Sequence, residues 1–201
     1  MESKNRIIVT GYDVFEGHER KNASWEAVNI LPKEIKIDDK KFKIKKLKVE
    51  VKYAAVDKIV EEIWKKDPYL VVHVGVHGYA SKIKIEKCAI NEFPMRDYAS
   101  KTLNNPVLCL ENAGKCDILH TKIDVDTITK YLNENHRNMY ESSCDVGKYL
   151  CGYIYLKSLD KNPTKTLFIH VPCIDKPFNT KDTSAAIYKI IEQCLITPLL
   201  E

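Results

Sequence analysis

The sequence predicts an α/β protein, a single-domain sandwich with helices on both faces of a sheet. Two observations carry this expectation. Strand-like apolar runs and segments of helical period alternate along most of the 201 residues. The composition, 44% hydrophobic and 30% charged, is that of an ordinary globular chain, with no repeat, low-complexity tract or linker to divide it. A chain of this length can bury a substantial core without covalent staples.

The elements follow in order. Residues 6–10, RIIVT, form a short apolar run that stops at Gly11 and predict a buried strand. In NASWEAVNIL, Ala23, Ala27, Ile30 and Leu31 recur at helical spacing, with Asn22 as N-cap and Pro32 as the stop. Between Phe42 and Val51 apolar and basic residues roughly alternate, the pattern of a strand with one wet face. Val56, Ile59, Val60 and Ile63 predict a helix ended by Pro68. YLVVHVGV is the strongest buried strand. KIKIEKCAI alternates and is read as another strand. Residues 94–120 hold prolines, asparagines and a glycine and are read as an irregular excursion. A short helix over 126–132, a helix over 145–159, the strand TLFIHV and a closing helix over 181–195 complete the chain.

Several function classes are disfavoured. Net charge is +4, too mild to imply a polyanion partner. The lysines of KKFKIKKLK are read as the solvated face or edge of a strand, because no aromatic platform accompanies them. The polar start MESKNR leads straight into a strand, so no signal peptide is expected, and no apolar run approaches the ~20 residues of a membrane span. Seven scattered cysteines without a CxxC pair suggest reduced thiols in a cytoplasmic protein. Cys109, Cys116 and His120 lack the fourth ligand and tight spacing of a zinc site, so no metal is expected.

Among the titratable residues, His73 lies inside an apolar strand and reads as a hydrogen-bonded core histidine. His77 follows in a loop, where it could line a pocket; Gly75 and Gly78 are read as letting that loop turn. His18 and His136 have polar surroundings. His170 closes the strand TLFIH, at a sheet rim where a general base is often displayed. Glu86 faces the side opposite Ile83 and Ile85, either as a solvated carboxylate or as one that orients a histidine. In the 145–159 helix, Val146, Tyr149, Leu150, Tyr153 and Ile154 form the apolar stripe. Cys151 sits on its margin, with Gly147 four residues before it and Gly152 after it. Two helical glycines cost about 1 kcal/mol each relative to alanine, so the spacing suggests room for something beside the sulfur. Ser143 or Asp145 is the expected cap, and Cys144 lies before or at it. These features leave Cys151 either a small core residue or a reactive thiol.

Four blocks, in order, carry a resemblance. VTGYDVFEGHERKNASWEAVNIL, VHVGV with IEKCAIN, DVGKYLC and FIHVP resemble the N-terminal, glutamate, nucleophile and histidine blocks of the pyroglutamyl-peptidase I family of cysteine peptidases. The resemblance spans nearly the whole chain and implies a twisted mixed sheet of the phosphorylase/hydrolase kind. It places Cys151 on the nucleophile, His170 on the general base and Glu86 on the orienting acid. Cys144 falls on no catalytic position. The resemblance further sets Arg96 near the oxyanion, and Tyr12, Phe15, Tyr149 and Leu150 around the pyroglutamate ring. It departs from the family pattern at Tyr12, Val14, Val76 and Val146, which bears on rate and pocket shape.

What the resemblance implies is hydrolysis of an N-terminal pyroglutamyl residue through a thioester on Cys151, with no metal and no organic cofactor. The implied partners are N-terminally pyroglutamylated peptides, with no nucleic acid and no membrane, for a cytoplasmic monomer or homo-oligomer. Two other readings compete: an impaired relative that only binds such peptides, and a nucleoside-phosphorylase-like enzyme. The second would need phosphate-binding loops, and the sequence offers no convincing one.

Overall fold

The computed structural model describes residues 5–15, 20–93, 97, 103, 105, 107–114 and 118–200. In chain order the elements are β1 (Arg6–Tyr12), α1 (Ala23–Asn29), β2 (Glu34–Ile37), β3 (Lys40–Val49), α2 (Tyr53–Trp64), β4 (Leu70–Val76), β5 (Ile83–Glu86), β6 (Cys88–Ile90), β7 (Ile118–His120), α3 (Val125–Asn135), β8 (Tyr140–Ser143), α4 (Leu150–Lys161), β9 (Thr166–Val171) and α5 (Thr180–Ile196). Seven strands form one mixed sheet in the order β2-β3-β1-β4-β9-β5-β8, and β6 pairs with β7 in a separate ribbon. The central strands β3, β1, β4 and β9 are parallel, whereas β5 runs antiparallel to β9.

Strand periodicity divides the core into two layers. Ile7, Val9, Val72, Val74, Ile83, Ile85, Leu167 and Ile169 pack against α1, α3 and α5. Tyr12 and Phe168 face α2 and α4. The α/β/α expectation therefore holds, with three helices on one face and two on the other.

Local chemistry explains most boundaries. Asn22 accepts a hydrogen bond from Ser24 N and starts α1 as expected. Asp124 and Asn179 cap α3 and α5 in the same way. Lys41, Lys43 and Lys45 of β3 are exposed, with Phe42 and Ile44 buried on the opposite face, while Val49 at the strand's end is buried in the other layer. β3 is not an edge, however, because β2 pairs with its outer side.

Three expectations change. The run read as one strand over 82–90 breaks at Lys87: β5 joins the main sheet and β6 leaves it for β7. The short polar strand β8 was not foreseen and closes the sheet beside β5. The helix expected from residue 145 starts at Leu150. Ser143 and Asp145 do accept backbone N–H bonds, from Asp145 N and Gly147 N, but in the loop before the helix. Among the described residues no helix is long and apolar enough to cross a membrane.

Candidate active site

Because α4 starts at Leu150, Cys151 lies in its first turn. N–H groups there have no carbonyl one turn earlier to bond, and the helix end favours negative charge. The chain reaches this point through Gly147, at φ +75°, a conformation that suits glycine. A Cβ on Gly152 would collide with the Gly147 carbonyl and come within 3.3 Å of the Phe93 ring. The two glycines thus shape the approach to the helix and pack on each other. The expectation of space beside the sulfur is corrected for Gly152, whereas Gly147 lines the same cavity as Cys151 and a Cβ there would meet nothing within 4 Å.

The space at the sulfur comes from a third glycine. A Cβ on Gly75 would lie 2.8 Å from Cys151 Sγ and 2.9 Å from Phe168 Cζ. Gly75 sits inside β4, not in a turn, and neither it nor Gly78 has positive φ. Its register partner across the sheet is His170. A bare strand position thereby lets sulfur and imidazole meet over the sheet.

His170 is buried on β9, facing α4 in the same layer as Phe168. Glu86 is fully buried at the end of β5. The antiparallel pairing sets Lys84 opposite His170 and Glu86 opposite Phe168. His170 Nδ1 donates to Glu86 Oε1 over 2.8 Å, and the Cys151 side chain lies close enough to the same ring to act on its pKa. Burial pulls the imidazole pKa down, but the bonds and charges of Cys151 and Glu86 outweigh it and lift the pKa to about 9. Glu86 does share a sheet face with Lys84. That face is covered by α4, whose Tyr155 hydroxyl donates to the Glu86 carbonyl over 2.8 Å. The solvated reading of Glu86 therefore fails.

These groups border a cavity of about 610 Å³. Tyr12, Phe15, Tyr149 and Leu150 all line it, as do Cys151 and His170. Tyr12 is buried, and its hydroxyl donates to the Leu150 carbonyl over 2.8 Å, which fixes the ring against the first turn of α4. Burial, and then the neighbouring Cys151, push its phenol well above the usual range. Val76 lines the cavity too, whereas Val14 is exposed.

Some lining residues went unrecognised in the sequence. Asp97, from the irregular excursion, lines the cavity and accepts from Tyr53 N over 3.1 Å, at the first residue of α2. His77 lines the cavity, as its loop position allowed, with its ring edge-on to His170 at 5.5 Å. Burial, and then the charge of His170, lower its pKa. A lone loop histidine gave no sequence signal beyond pocket proximity. Cys144 is exposed, and His136 is exposed as expected. Arg96, His18 and Cys116 lie outside the described residues. Among the described residues no cluster of His, Cys, Asp and Glu could hold a metal ion.

A thiol, an imidazole and a buried carboxylate in line, at a helix N-terminus and under a cavity, can attack a carbonyl and pass on its proton. Fold and site thus describe a hydrolase of the cysteine type. The chain belongs to the pyroglutamyl peptidase family, whose model it matches over residues 5–195. It is 32% identical to pyroglutamyl-peptidase 1 of Homo sapiens, over 96% of this chain and 91% of the relative. Identity to the pyrrolidone-carboxylate peptidase of Thermococcus kodakarensis is also 32%, over 86% and 85%. In fold it resembles a mutant pyrrolidone carboxyl peptidase from P. furiosus, with a TM-score of 0.80 at 24% identity, covering 94% of this chain and 98% of that one.

Proposed function

We propose that this protein removes pyroglutamate from the N-terminus of peptides, with Cys151 as nucleophile, His170 as general base and acid, and Glu86 as the group that orients His170. The observation that carries this reading is the buried Glu86–His170 bond of 2.8 Å, made by a ring that lines the same cavity as Cys151. Glu86 occupies Nδ1 and leaves Nε2 for the sulfur.

A free thiol has a pKa of about 8.5 and is weakly ionised near neutrality. Transfer of its proton to His170 gives a thiolate and an imidazolium held by Glu86. The thiolate adds to the carbonyl joining pyroglutamate to the next residue. The oxyanion is received by N–H groups of the first turn of α4; losing one such donor typically costs about 3 kcal/mol of barrier. The peptide amine departs with the proton of His170. Water, deprotonated by the same ring, then cleaves the thioester and releases pyroglutamate.

Specificity follows from the cavity's chemistry. Tyr12, Phe15, Tyr149 and Leu150 present apolar surface to the flat, uncharged lactam. An open-chain glutamate would bring an ammonium and a carboxylate, whose desolvation penalises entry.

The test is turnover of a fluorogenic pyroglutamyl amide under reducing conditions. Wild type and Cys144→Ser turn over, and Cys151→Ser does not. Equal loss in both variants, or an inert wild type, rejects the reading. Iodoacetamide inactivates the wild type, and a bound pyroglutamyl analogue slows that inactivation.

A further inference from the structure

Cys88 and Cys144 lie outside the machinery above, yet the fold brings them together. The main sheet aligns Glu86 of β5 with Ser143 of β8, and the pairing runs one residue further, where Lys87 N donates to the Ser143 carbonyl over 2.7 Å. Cys88 follows at once on one chain and Cys144 on the other. The Cys88 thiol donates to the Cys144 carbonyl at 3.5 Å, which brings its sulfur against the residue that carries the second thiol, and the two side chains are close enough for each to act on the other's charge. Cys88 is buried and Cys144 exposed. The ammonium of Lys87, held by Asp126 at 3.2 Å, is close enough to interact with both sulfurs.

We infer that Cys88 and Cys144 form an oxidant-accessible dithiol site, which small hydroperoxides convert to an intramolecular disulfide. The exposed sulfur reacts first. Cys144 thiolate attacks one peroxide oxygen, the O–O bond breaks, and a sulfenic acid forms as hydroxide leaves. Cys88 sulfur then attacks Cys144 sulfur, the S–O bond breaks, and a second hydroxide leaves. With the two thiol protons, the products are one disulfide and two waters. The sulfurs lose two electrons in all, and the peroxide gains them. Burial lifts the Cys88 thiol to about 11, which keeps it protonated and leaves the first attack on peroxide to the exposed Cys144; Cys88 gives up its proton to the departing hydroxide as it attacks. Lys87 stabilises the anionic sulfur in each step. The bond joins the chain two residues beyond Glu86 to the loop that leads into α4. It ties the segment carrying the orienting carboxylate to the segment carrying the nucleophile.

The experiment uses the full chain bearing Cys151→Ser, so that the catalytic thiol cannot contribute. The protein is exposed to hydrogen peroxide, its remaining thiols are blocked, and it is mapped by mass spectrometry without reduction. The expected product is a Cys88–Cys144 linked peptide, lighter by two hydrogens than the separate peptides and reopened by dithiothreitol. Adding Cys144→Ser, a change at an exposed position that the fold tolerates, abolishes the linked peptide and leaves Cys88 as free thiol. Oxidation of Cys144 to sulfinic acid without a link overturns the inference. So does a bond from Cys144 to Cys173 or to another molecule, or a Cys144 that stays reduced while Cys173 oxidises.

Discussion

Two histidines sit on adjacent strands, on the same face of the sheet, and behave in opposite ways. His73 of β4 and His170 of β9 are both buried and both neighbour the Phe168 ring. His73 lies between two hydroxyls, Thr10 Oγ1 on Nδ1 and Ser158 Oγ on Nε2, each at 2.8 Å. A hydroxyl can both donate and accept, so it satisfies a neutral imidazole, and burial pulls the pKa down to about 3. His170 has a carboxylate and a thiol as partners, and they push its pKa up to about 9 against the same burial. Desolvation is common to both sites; the charge of the partner decides which protonation state survives. One histidine is a neutral strut, and the other is equipped to hold a proton.

The largest test of this contrast replaces Glu86 with Gln, which keeps shape and removes charge. Glu86→Gln should lower the His170 pKa, followed by NMR titration, and reduce kcat/KM by about 10²- to 10⁴-fold, within the range for loss of organised acid–base catalysis. An unchanged titration would show that the carboxylate is not what distinguishes the two rings. Gly75→Ala comes next, since its Cβ would press on Cys151 Sγ and the Phe168 ring. A displaced nucleophile should cost about 10²-fold in kcat, and the overpacked sheet about 1–3 kcal/mol of stability, read by turnover and urea unfolding.

Stability against pH separates the rings further. The folded pKa of His73 lies below the unfolded value, so its contribution is complete above pH ~6.5 and is lost as pH falls toward 3. His170 is the reverse: its folded pKa is raised, so its contribution is complete below ~6.5 and is lost as pH rises toward 9. Each ring contributes a slope of up to about 1.4 kcal/mol per pH unit, measurable as the urea midpoint across pH. Glu86→Gln should flatten the alkaline limb and leave the acid limb. The smallest effect is that of Ser158→Ala, which strands one nitrogen of His73 and should destabilise by about 1–3 kcal/mol while turnover persists.

The contrast also explains what the sequence could reveal. His73 was legible as a core residue because apolar neighbours flank it within one strand. His170 and Glu86 gave weaker local signals, because their burial depends on an antiparallel neighbour and on α4, both distant in the chain. The ordered family blocks supplied what local pattern could not. The strands β1, β4 and β9 and the cap at Asn22 were readable, since buried strands and side-chain caps leave local traces. β8, with the sequence YESS, was hidden because an edge strand can carry polar residues. The start of α4 was misread because apolar Val146 continues the helical spacing although it precedes the Gly147 turn. Gly75 looked like loop punctuation, because nothing local shows that a sulfur 76 residues later, Cys151, needs the missing Cβ.

The reversed direction of β5 has one more consequence. It brings Glu86 in beside Phe168, one strand pair deeper than His170, so the shared Nδ1 proton lies on the interior side of the ring. Solvent deuterium can replace that proton only when β5 and β9 separate or the ring turns over. Its exchange lifetime would therefore time the opening of the sheet, making a single imidazole hydrogen a clock for local unfolding.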